Sequence, residues 1–281
     1  MSDCDSNHAE CPSRGCLFQA EESVHFLEVS YDTLADSFDS GRALSAGKEA
    51  LWLDLFRQHL RLHRASRVLD VGCGTGRFAI PLGLELECRV IGIDPSPAML
   101  ADGKAKSSHD LAWVRGRAEM LPFADGVFDA CLASQVLHHF RDKHQACAEM
   151  HRVLKPGGRI GLRYSSHSQL RGILDYRFFP SALELDLGRV PADEVIREML
   201  RTAGFAAIEV HIVQQRLFHS TDEYLDKLRR RYASVLSLIS EDEYRNGIRA
   251  AESYFARREP TAKDTEVEVM FLVSNKVATV A

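Results

Sequence analysis

The sequence predicts an α/β fold built on a doubly wound parallel sheet, and two observations support this prediction. From Arg67 onward, five short apolar runs alternate with segments of helical periodicity within about 100 residues. Each apolar run is nearly continuous rather than alternating, and a turn follows it, which is typical of strands buried on both faces of a parallel sheet. The 281 residues are enough for one large domain or two small ones.

The elements follow from this pattern in chain order. Strands are predicted over residues 67–72, 89–94, 111–116, 127–134 and 158–165. Helices are expected between them near 76–86, 97–106 and 142–154. Residues 165–190 mix polar and aromatic residues with a proline and are predicted to be an irregular insertion. The remaining elements are a helix over 192–203, a strand over 207–218, helices over about 221–239 and 241–258, and a strand over 267–275.

The N-terminal part divides into two segments. Residues 1–22 are polar, without an apolar stretch that could act as a secretory signal, and we expect a flexible leader. Residues 24–62 have a helical pattern that places Leu51, Leu55 and Phe56 on one face beside Trp52. We therefore predict a single domain over 23–281.

Composition and charge exclude several classes of protein. The net charge of −5 disfavours a nucleic-acid partner, and the basic run 227–231 lies among acidic residues, as a solvated helix face does. No run of 18 uncharged apolar residues occurs, so no membrane insertion is expected. Seven cysteines, an odd number, argue against a secreted disulfide framework and favour a cytoplasmic setting.

A glycine loop carries the clearest chemical signal. The stretch VLDVGCGTGR (68–77) takes a buried strand into a GxGxG turn, where glycines let the backbone approach a ligand closely. The spacing differs from the dinucleotide fingerprint GxGxxG. Asp70, two positions before the first glycine, would repel a pyrophosphate but attract an ammonium group. A ligand that has both an ammonium and a carboxylate, such as an amino acid moiety, fits this loop better than a dinucleotide.

A second carboxylate complements the loop. Asp94 ends the second strand, 18 residues beyond Gly76, where it can accept hydrogen bonds from both hydroxyls of an unmodified ribose. Its negative charge disfavours a 2′-phosphate.

Four blocks in order and spacing give the chain a family resemblance. VLDVGCGTGR, IGIDPSPAML (91–100), GRAEMLPFADGVFDACLASQVLHHF (116–140) and EMHRVLKPGGRIGLR (149–163) together resemble class I S-adenosylmethionine-dependent methyltransferases of the ubiquinone/menaquinone branch, over about residues 66–165. The resemblance implies a Rossmann-like seven-stranded sheet with the last strand antiparallel. Because ligands bind at the carboxyl ends of the strands in open α/β sheets, we also expect a helical cap over those ends, formed by segments 24–62, 165–190 and 221–258.

The resemblance implies roles for particular residues around the cofactor S-adenosyl-L-methionine. Asp70 and the loop glycines would hold its methionine part, Asp94 would bind the ribose, and Ser134 would lie beneath the sulfonium. Other residues would surround the adenine, namely Ala118 and Glu119 at its border, with Pro95 and Met99 packed near it. The family usually has Asp or Asn where this chain has Arg117, and guanidinium has no acceptor. Adenine recognition is therefore expected to depend on backbone groups or on Glu119.

The acceptor side is less defined by the sequence. His139 is the candidate catalytic base. The alternative is that His138 packs or caps locally while only His139 faces the cleft, and the apolar neighbours Leu137 and Phe140 favour a structural part for at least one of the two. Tyr31 either closes over the cofactor as a lid or belongs to an ordinary amphipathic helix. The residues expected to converge near Ser134 are Tyr31, Arg42, His139, Arg163, Tyr176 and Arg177, a set that favours a small polar or anionic acceptor over a polyprenyl chain. Alternatively, Arg163 and Arg177 pair with local acids and never reach the cleft.

Three functions remain open at this point. The first is methyl transfer to a small-molecule acceptor. The second is a metalloid (arsenite-type) methyltransferase, suggested by Cys4, Cys11 and Cys16, although their spacing matches no common zinc pattern and no metal site is predicted. The third is a non-catalytic regulatory protein that binds S-adenosylmethionine.

Overall fold

The computed structural model describes residues 46–107 and 111–277. Within them all seven predicted strands form one sheet, in the order β3-β2-β1-β4-β5-β7-β6. In chain order they are β1 (Arg67–Val71), β2 (Arg89–Asp94), β3 (Ala112–Arg115), β4 (Phe128–Ser134), β5 (Leu154–Tyr164), β6 (Phe205–Arg216) and β7 (Glu266–Lys276). Strand β7 is antiparallel to both of its neighbours, and the pairs among β1 to β5 are parallel, which confirms the expected topology.

The helices pack on both faces of this sheet. They are α1 (Ala46–His59), α2 (Ala79–Leu84), α3 (Pro97–Lys106), α4 (Lys143–Val153), α5 (His167–Gly172), α6 (Asp175–Phe178), α7 (Pro180–Arg189), α8 (Asp193–Thr202), α9 (Thr221–Arg229), α10 (Glu241–Phe255) and α11 (Ala262–Thr265). Two 3-10 turns cover Leu137–His139 and Ser234–Ser237. No helix among these is both long and apolar enough to cross a bilayer.

The strands are buried on both faces because successive side chains point in opposite directions. Val68 belongs to an apolar cluster with residues of α1 and α2, whereas Leu69 and Val71 belong to a cluster with residues of α4 and α8. This explains the continuous apolar runs of the sequence, since neither face of β1 meets water.

Helix α1 corrects the expected apolar face of the N-terminal segment. Trp52, Leu53 and Phe56 are the buried residues, while Leu51 is 39% exposed. The Trp52 ring meets Phe271 of β7 edge to face, with 5.9 Å between ring centroids. The described part of segment 24–62 therefore packs against a face of the sheet, not over its carboxyl ends as the cap prediction has it. The first turn of α1, which contains Lys48, nevertheless approaches the carboxyl ends of the strands.

Segment 165–190 is helical, so the prediction of an irregular insertion is wrong. Helix α5 begins with a capping box, in which the Ser166 hydroxyl accepts from the Gln169 amide and the Gln169 side chain accepts from the Ser166 amide. Helix α7 begins with Pro180, whose fixed φ suits a first helical position. Both signals are visible in the sequence, but α5 is too short to show periodicity, and the leucines of α7 recur every two residues, which is not a helical period.

The predicted helix over 221–239 is also shorter than expected. Helix α9 ends at Arg229, and Arg231 adopts a left-handed conformation with φ 49°. Side chains of α6, α7, α9 and α10 form a separate apolar cluster around Phe179, Phe218 and Tyr224. This cluster packs segments 165–190 and 221–258 together. The leader over 1–22 and the domain boundary at residue 23 lie outside the described residues and stay predictions.

Candidate active site

The glycine loop is attached to the carboxyl end of β2. The amides of Gly72 and Cys73 donate to the Ile93 carbonyl, at 2.8 and 3.1 Å, and the Gly74 amide donates to Asp94 Oδ2 at 2.9 Å. The expected helix at 76–86 begins only at Ala79, so turns occupy the intervening residues. This arrangement brings the loop and the Asp94 carboxylate into direct contact.

Two carboxylates lie at the ends of β1 and β2. Asp70 and Asp94 are both buried, with exposed fractions of 3% and 9%. Burial raises the pKa of Asp70 to about 7, with a further contribution from the Asp94 charge, while a hydrogen bond from the Ala79 amide acts in the opposite direction. A buried pair of like charges is stabilised by a cationic ligand, as the sequence predicts for the ammonium end of a cofactor.

The three glycines of the loop differ in what a side chain would meet. A Cβ at Gly72 would lie 2.8 Å from Val136 Cγ1, and a Cβ at Gly76 would lie 2.4 Å from Trp113 Cη2. At Gly74, where φ is 54°, no atom of the described protein lies within 4 Å of that position. Gly72 and Gly76 are therefore required for packing, whereas Gly74 borders open space beside Asp94. The loop fits a ligand of the expected kind.

The residues expected around the adenine have distinct environments. Ala118 and Met99 are buried, at 6% and 2% exposure, and Pro95 is exposed. Glu119 Oε1 accepts from the Arg141 amide at 2.7 Å and the Asp142 amide at 3.4 Å. Because this oxygen already holds the segment before α4, backbone groups near Ala118 are the better candidates for reading the adenine edge.

A pocket of about 180 Å³ opens at the carboxyl ends of β4 and β5. Its wall starts at Arg77, directly after the glycine loop, and continues through Gln135, which follows β4. Segments 165–190 and 221–258 complete the wall with residues that include Tyr176, Arg189 and Lys227. The pocket and the glycine loop are thus contiguous, as expected for ligands at this edge of an open α/β sheet.

Only part of the predicted acceptor set reaches this pocket. Arg163 and Tyr176 line it. Arg177 does not: its side chain is exposed, and its guanidinium lies 4.9 Å from the centroid of the Tyr254 ring. Tyr31 and Arg42 lie outside the described residues.

The structure places His138 at the pocket, whereas the sequence predicts that His139 faces it. His138 lines the pocket and His139 does not, although the two ring centroids are only 3.9 Å apart. Both residues belong to one 3-10 turn, in which neighbouring side chains point about 120° apart. His138 is therefore the better-placed candidate base.

Ser134 is connected to the pocket through Arg163. Arg163 Nη1 donates to Ser134 Oγ at 3.4 Å, and Nη2 donates to Gln215 Oε1 at 3.3 Å. The guanidinium carbon lies 4.4 Å from the centroid of the Trp52 ring. Arg163 thus joins the end of β4 to β6 and α1 in addition to lining the pocket.

Sequence reasoning missed several residues of the pocket. Gln135 has φ 55°, a strained backbone conformation for a residue other than glycine. Its position directly after β4 could have identified it as a pocket residue, because ligands bind at the carboxyl ends of strands. The sequence predicts that Lys227 belongs to a solvated helix face, but its side chain is only 15% exposed. Its spacing of three residues from the buried Tyr224 was the available signal. No comparable feature of the sequence identifies Arg189 as a pocket residue.

Buried carboxylates support the outer wall of the pocket. Asp175 accepts hydrogen bonds from the hydroxyls of Tyr224 and Tyr232, at 2.9 and 2.5 Å. Burial raises the pKa of Asp175 above its ordinary value, and the two tyrosine hydroxyls oppose this effect. These bonds connect α6 to segment 221–258 across the pocket.

The described cysteines give no support to metalloid chemistry. Cys73, Cys88, Cys131 and Cys147 are free and buried. Burial raises the pKa of every one of these thiols, to about 11 for Cys88 and about 12 for Cys147. Protonated buried thiols are poor ligands and nucleophiles. Cys4, Cys11 and Cys16 lie outside the described residues.

One group of possible metal ligands lies away from the pocket in the part of the chain that the structure describes. His59, Glu209 and His211 bring their ligand atoms within 4.8 Å of one another. Arg159 already occupies this neighbourhood, since its Nη1 lies 3.8 Å from Glu209 Oε1 and donates to the His59 carbonyl at 2.7 Å. A resident cation beside the only carboxylate of this group disfavours a metal ion there.

Fold and site together define a class of protein. The sheet has β7 inserted antiparallel between β5 and β6, a glycine loop after β1 and buried carboxylates at the ends of β1 and β2. This is the arrangement expected of an α/β protein that binds a nucleoside-containing cation beside a second ligand pocket.

Comparison with known proteins identifies the family. The model of a methyltransferase domain matches residues 69–162. The demethylmenaquinone methyltransferase of Thermus thermophilus is 31% identical over 211 residues, which cover 64% of this chain and 91% of that protein. The demethylmenaquinone methyltransferase of Lactiplantibacillus plantarum is 36% identical over 149 residues, which cover 50% of this chain and 63% of that protein. The chain belongs to the class I S-adenosylmethionine-dependent methyltransferases, in the ubiquinone/menaquinone branch.

A solved structure agrees in fold. A putative methyltransferase from an antibiotic biosynthesis pathway of Anabaena variabilis superposes with a TM-score of 0.69 at 20% sequence identity, covering 80% of this chain and 96% of that one. At this identity the similarity extends to the fold alone. The chain spans less than two thirds of the length of the L. plantarum relative.

Proposed function

We propose that this chain transfers the methyl group of S-adenosylmethionine to a small, polar or anionic molecule held in the pocket at the ends of β4 and β5. The contiguity of the two sites carries the proposal. Arg77 follows the glycine loop directly and also lines the pocket, and Gln135 lies where β4 ends. A methyl donor on the loop and an acceptor in the pocket would therefore meet near Ser134.

When bound, the cofactor would supply a methyl group attached to a sulfonium. An electron pair of the acceptor would form a bond to the methyl carbon while the sulfur–carbon bond breaks, and the sulfur would become a neutral thioether. The protein's part is alignment and exclusion of water. In the proposal, Asp70 holds the ammonium end and Asp94 the ribose, while segments 165–190 and 221–258 cover the acceptor. A base is needed only if the acceptor atom carries a proton when it binds, and His138 is the imidazole that faces the pocket.

Transfer of labelled methyl groups tests the proposal. Purified protein incubated with methyl-labelled S-adenosylmethionine and a metabolite extract should label at least one small molecule, and locating the label identifies the acceptor atom. A protein that binds S-adenosylhomocysteine but labels nothing would be the regulatory alternative. If the Cys4→Ser, Cys11→Ser and Cys16→Ser triple variant keeps full activity, the metalloid alternative is excluded.

A quinone acceptor is the second candidate. It is favoured by the names of the relatives from L. plantarum and T. thermophilus, both demethylmenaquinone methyltransferases. A reduced demethylated quinone with a short side chain is therefore included in the labelling experiment. Apolar side chains such as Ile173, Val190 and Val269 also line the pocket and would suit a quinone ring. The charged residues of the same wall favour the polar or anionic acceptor, because a polyprenyl chain needs a continuous apolar groove.

Replacing Asp94 tests the proposed ribose contact. Asp94→Ala removes the acceptor of the Gly74 and Ser96 amides along with the ribose contact, so S-adenosylhomocysteine should bind more weakly by about 1–3 kcal/mol in calorimetry. Asp94→Asn keeps one acceptor oxygen and should lie between wild type and Asp94→Ala. Unchanged affinity in the alanine variant would refute the ribose assignment.

The histidine pair provides a test of the catalytic base. With an acceptor that needs deprotonation, His138→Gln should lower kcat by about 10²–10⁴-fold. His139→Gln is the matched control, since the adjacent ring does not line the pocket, and it should stay within about threefold of wild type. Stopped assays on the identified acceptor measure both, and a larger loss in His139→Gln would restore the original assignment.

A further inference from the structure

A buried guanidinium in the pocket wall has unused hydrogen-bond donors. Arg189, the last residue of α7, lines the pocket and has a side chain that is 11% exposed. Its Nε and Nη1 are shielded from solvent and have no hydrogen-bond partner among the described residues. A charged donor in this state is costly unless a ligand supplies the acceptors.

The remaining contacts of Arg189 orient it. Its Nη2 forms an ion pair with Asp186, one helical turn earlier in α7. Asp186 is itself buried and accepts a second hydrogen bond from the Tyr176 hydroxyl at 2.5 Å. The carboxylate is thus shared between a phenol and one edge of the guanidinium, and the N–H groups on Nε and Nη1 are left for another partner.

The surrounding charge is positive. Lys48, Lys227 and Arg216 also line the pocket. The pKa of Lys48 lies below its ordinary value, chiefly because of burial and next because of the Lys227 charge, and Arg77 and Arg216 add to this effect. Lys227 pairs with Glu223 at 2.7 Å and Arg216 with Glu266 at 3.4 Å, whereas Lys48 forms no ion pair among the described residues.

The acidic residues of the described lining are already engaged. Asp175 accepts from the Tyr224 and Tyr232 hydroxyls, and Asp186 is held by Tyr176 and Arg189. The Asp175 carboxylate interacts with the Lys227 charge, whereas neither carboxylate forms an ion pair with Lys48 among the described residues. An anion in the pocket would experience a positive potential and would lie against the Arg189 side chain, whose Nε and Nη1 have no partner among the described residues.

We infer that the methyl acceptor carries a carboxylate or phosphate group and that this group binds Arg189, with Lys48 and Lys227 contributing charge. The inference rests on the proposed function and narrows the acceptor to oxyanion-bearing small molecules. Guanidinium suits both groups, because its planar array of N–H donors matches carboxylate and phosphate oxygens.

Anion binding to the donor-loaded protein tests the inference. Full-length protein saturated with S-adenosylhomocysteine is titrated by calorimetry with inorganic phosphate and, separately, with benzoate. At least one should bind wild type; binding of phosphate alone indicates a phosphorylated acceptor, and binding of benzoate alone a carboxylate. Arg189→Gln combined with Asp186→Asn removes the ion pair without leaving a lone buried charge, and it should weaken that binding at least tenfold.

Three controls make the result specific. Asp186→Asn alone keeps the guanidinium and should bind the anion as well as wild type or more tightly. Arg171→Gln removes an exposed cation of segment 165–190 that is absent from the pocket wall and should change nothing. Lys48→Gln, on a different element, should weaken anion binding severalfold even if the Arg189 variants do not fold.

The outcomes separate this inference from the proposed function. If neither anion binds wild type, or if the double variant binds as wild type does, the anionic acceptor is refuted. A neutral acceptor identified by methyl labelling would refute it too, while methyl transfer stands. If wild type fails to bind S-adenosylhomocysteine, the proposed function itself fails.

Discussion

Gly74→Val is expected to abolish binding of S-adenosylhomocysteine in a protein that still folds. The residue has φ 54°, and no atom of the described protein lies within 4 Å of where its Cβ would be. The valine therefore costs about 1–2 kcal/mol of left-handed backbone strain, without a steric clash inside the protein. In the proposed site that same space is filled by the cofactor, so we expect the affinity to fall by about 100-fold or more in calorimetry.

Gly126→Val is the matched control for this prediction. Gly126 also has a left-handed φ, 67°, with no atom of the described protein within 4 Å of its Cβ position. It precedes β4, at the amino end of that strand, whereas the glycine loop lies at the carboxyl end of β1. The two variants should lose similar thermal stability while only Gly74→Val loses the ligand. Equal affinities in the two variants would show that Gly74 does not border the cofactor.

Binding of S-adenosylhomocysteine is expected to strengthen about tenfold between pH 6 and pH 8. The Asp70 pKa is about 7 in the free protein, because the carboxylate is buried beside Asp94. An ammonium ligand binds the ionised form and must displace the proton at lower pH, so the apparent affinity falls as pH drops below 7. Calorimetry across this range measures the change, and a pH-independent affinity would contradict the ammonium assignment.

Asp70→Asn should remove this pH dependence and weaken binding at pH 8 by about 1.5–3 kcal/mol, the size of a charge-assisted hydrogen bond. Loss of folding is not expected. A pKa raised above its unfolded value means that Asp70 destabilises the folded protein progressively as pH rises from about 4 through 7. The asparagine variant should therefore be at least as stable as wild type at pH 8 in thermal unfolding, and reduced stability would contradict the cause given for the pKa.

The elements that the sequence predicts well are those with strong local patterns. All seven strands lie within a few residues of their expected positions. Strands buried on both faces produce apolar runs, which can be recognised from a short stretch of sequence. The helices α5 and α6 were missed because four to six residues without flanking apolar periodicity give no helical signal. Helix α7 was missed because Leu183, Leu185 and Leu187 recur every two residues, not every three or four. Helix α9 was overextended, because nothing in its composition marks the left-handed Arg231.

The cofactor side of the site was determined by the sequence itself. The glycine loop, Asp70 and Asp94 are close together along the chain or end neighbouring strands, so a parallel sheet brings them to one edge whatever packs around it. The acceptor side was decided only by tertiary structure. Whether His138 or His139, and Tyr176 or Arg177, faces the pocket depends on how each helical turn is rotated against the sheet. Arg189 and Lys227 come from segments almost 40 residues apart whose packing, around Phe179 and Tyr224, fixes those rotations. Local sequence does not contain this information, because adjacent residues of a helical turn point in directions that only long-range contacts assign to core, solvent or ligand.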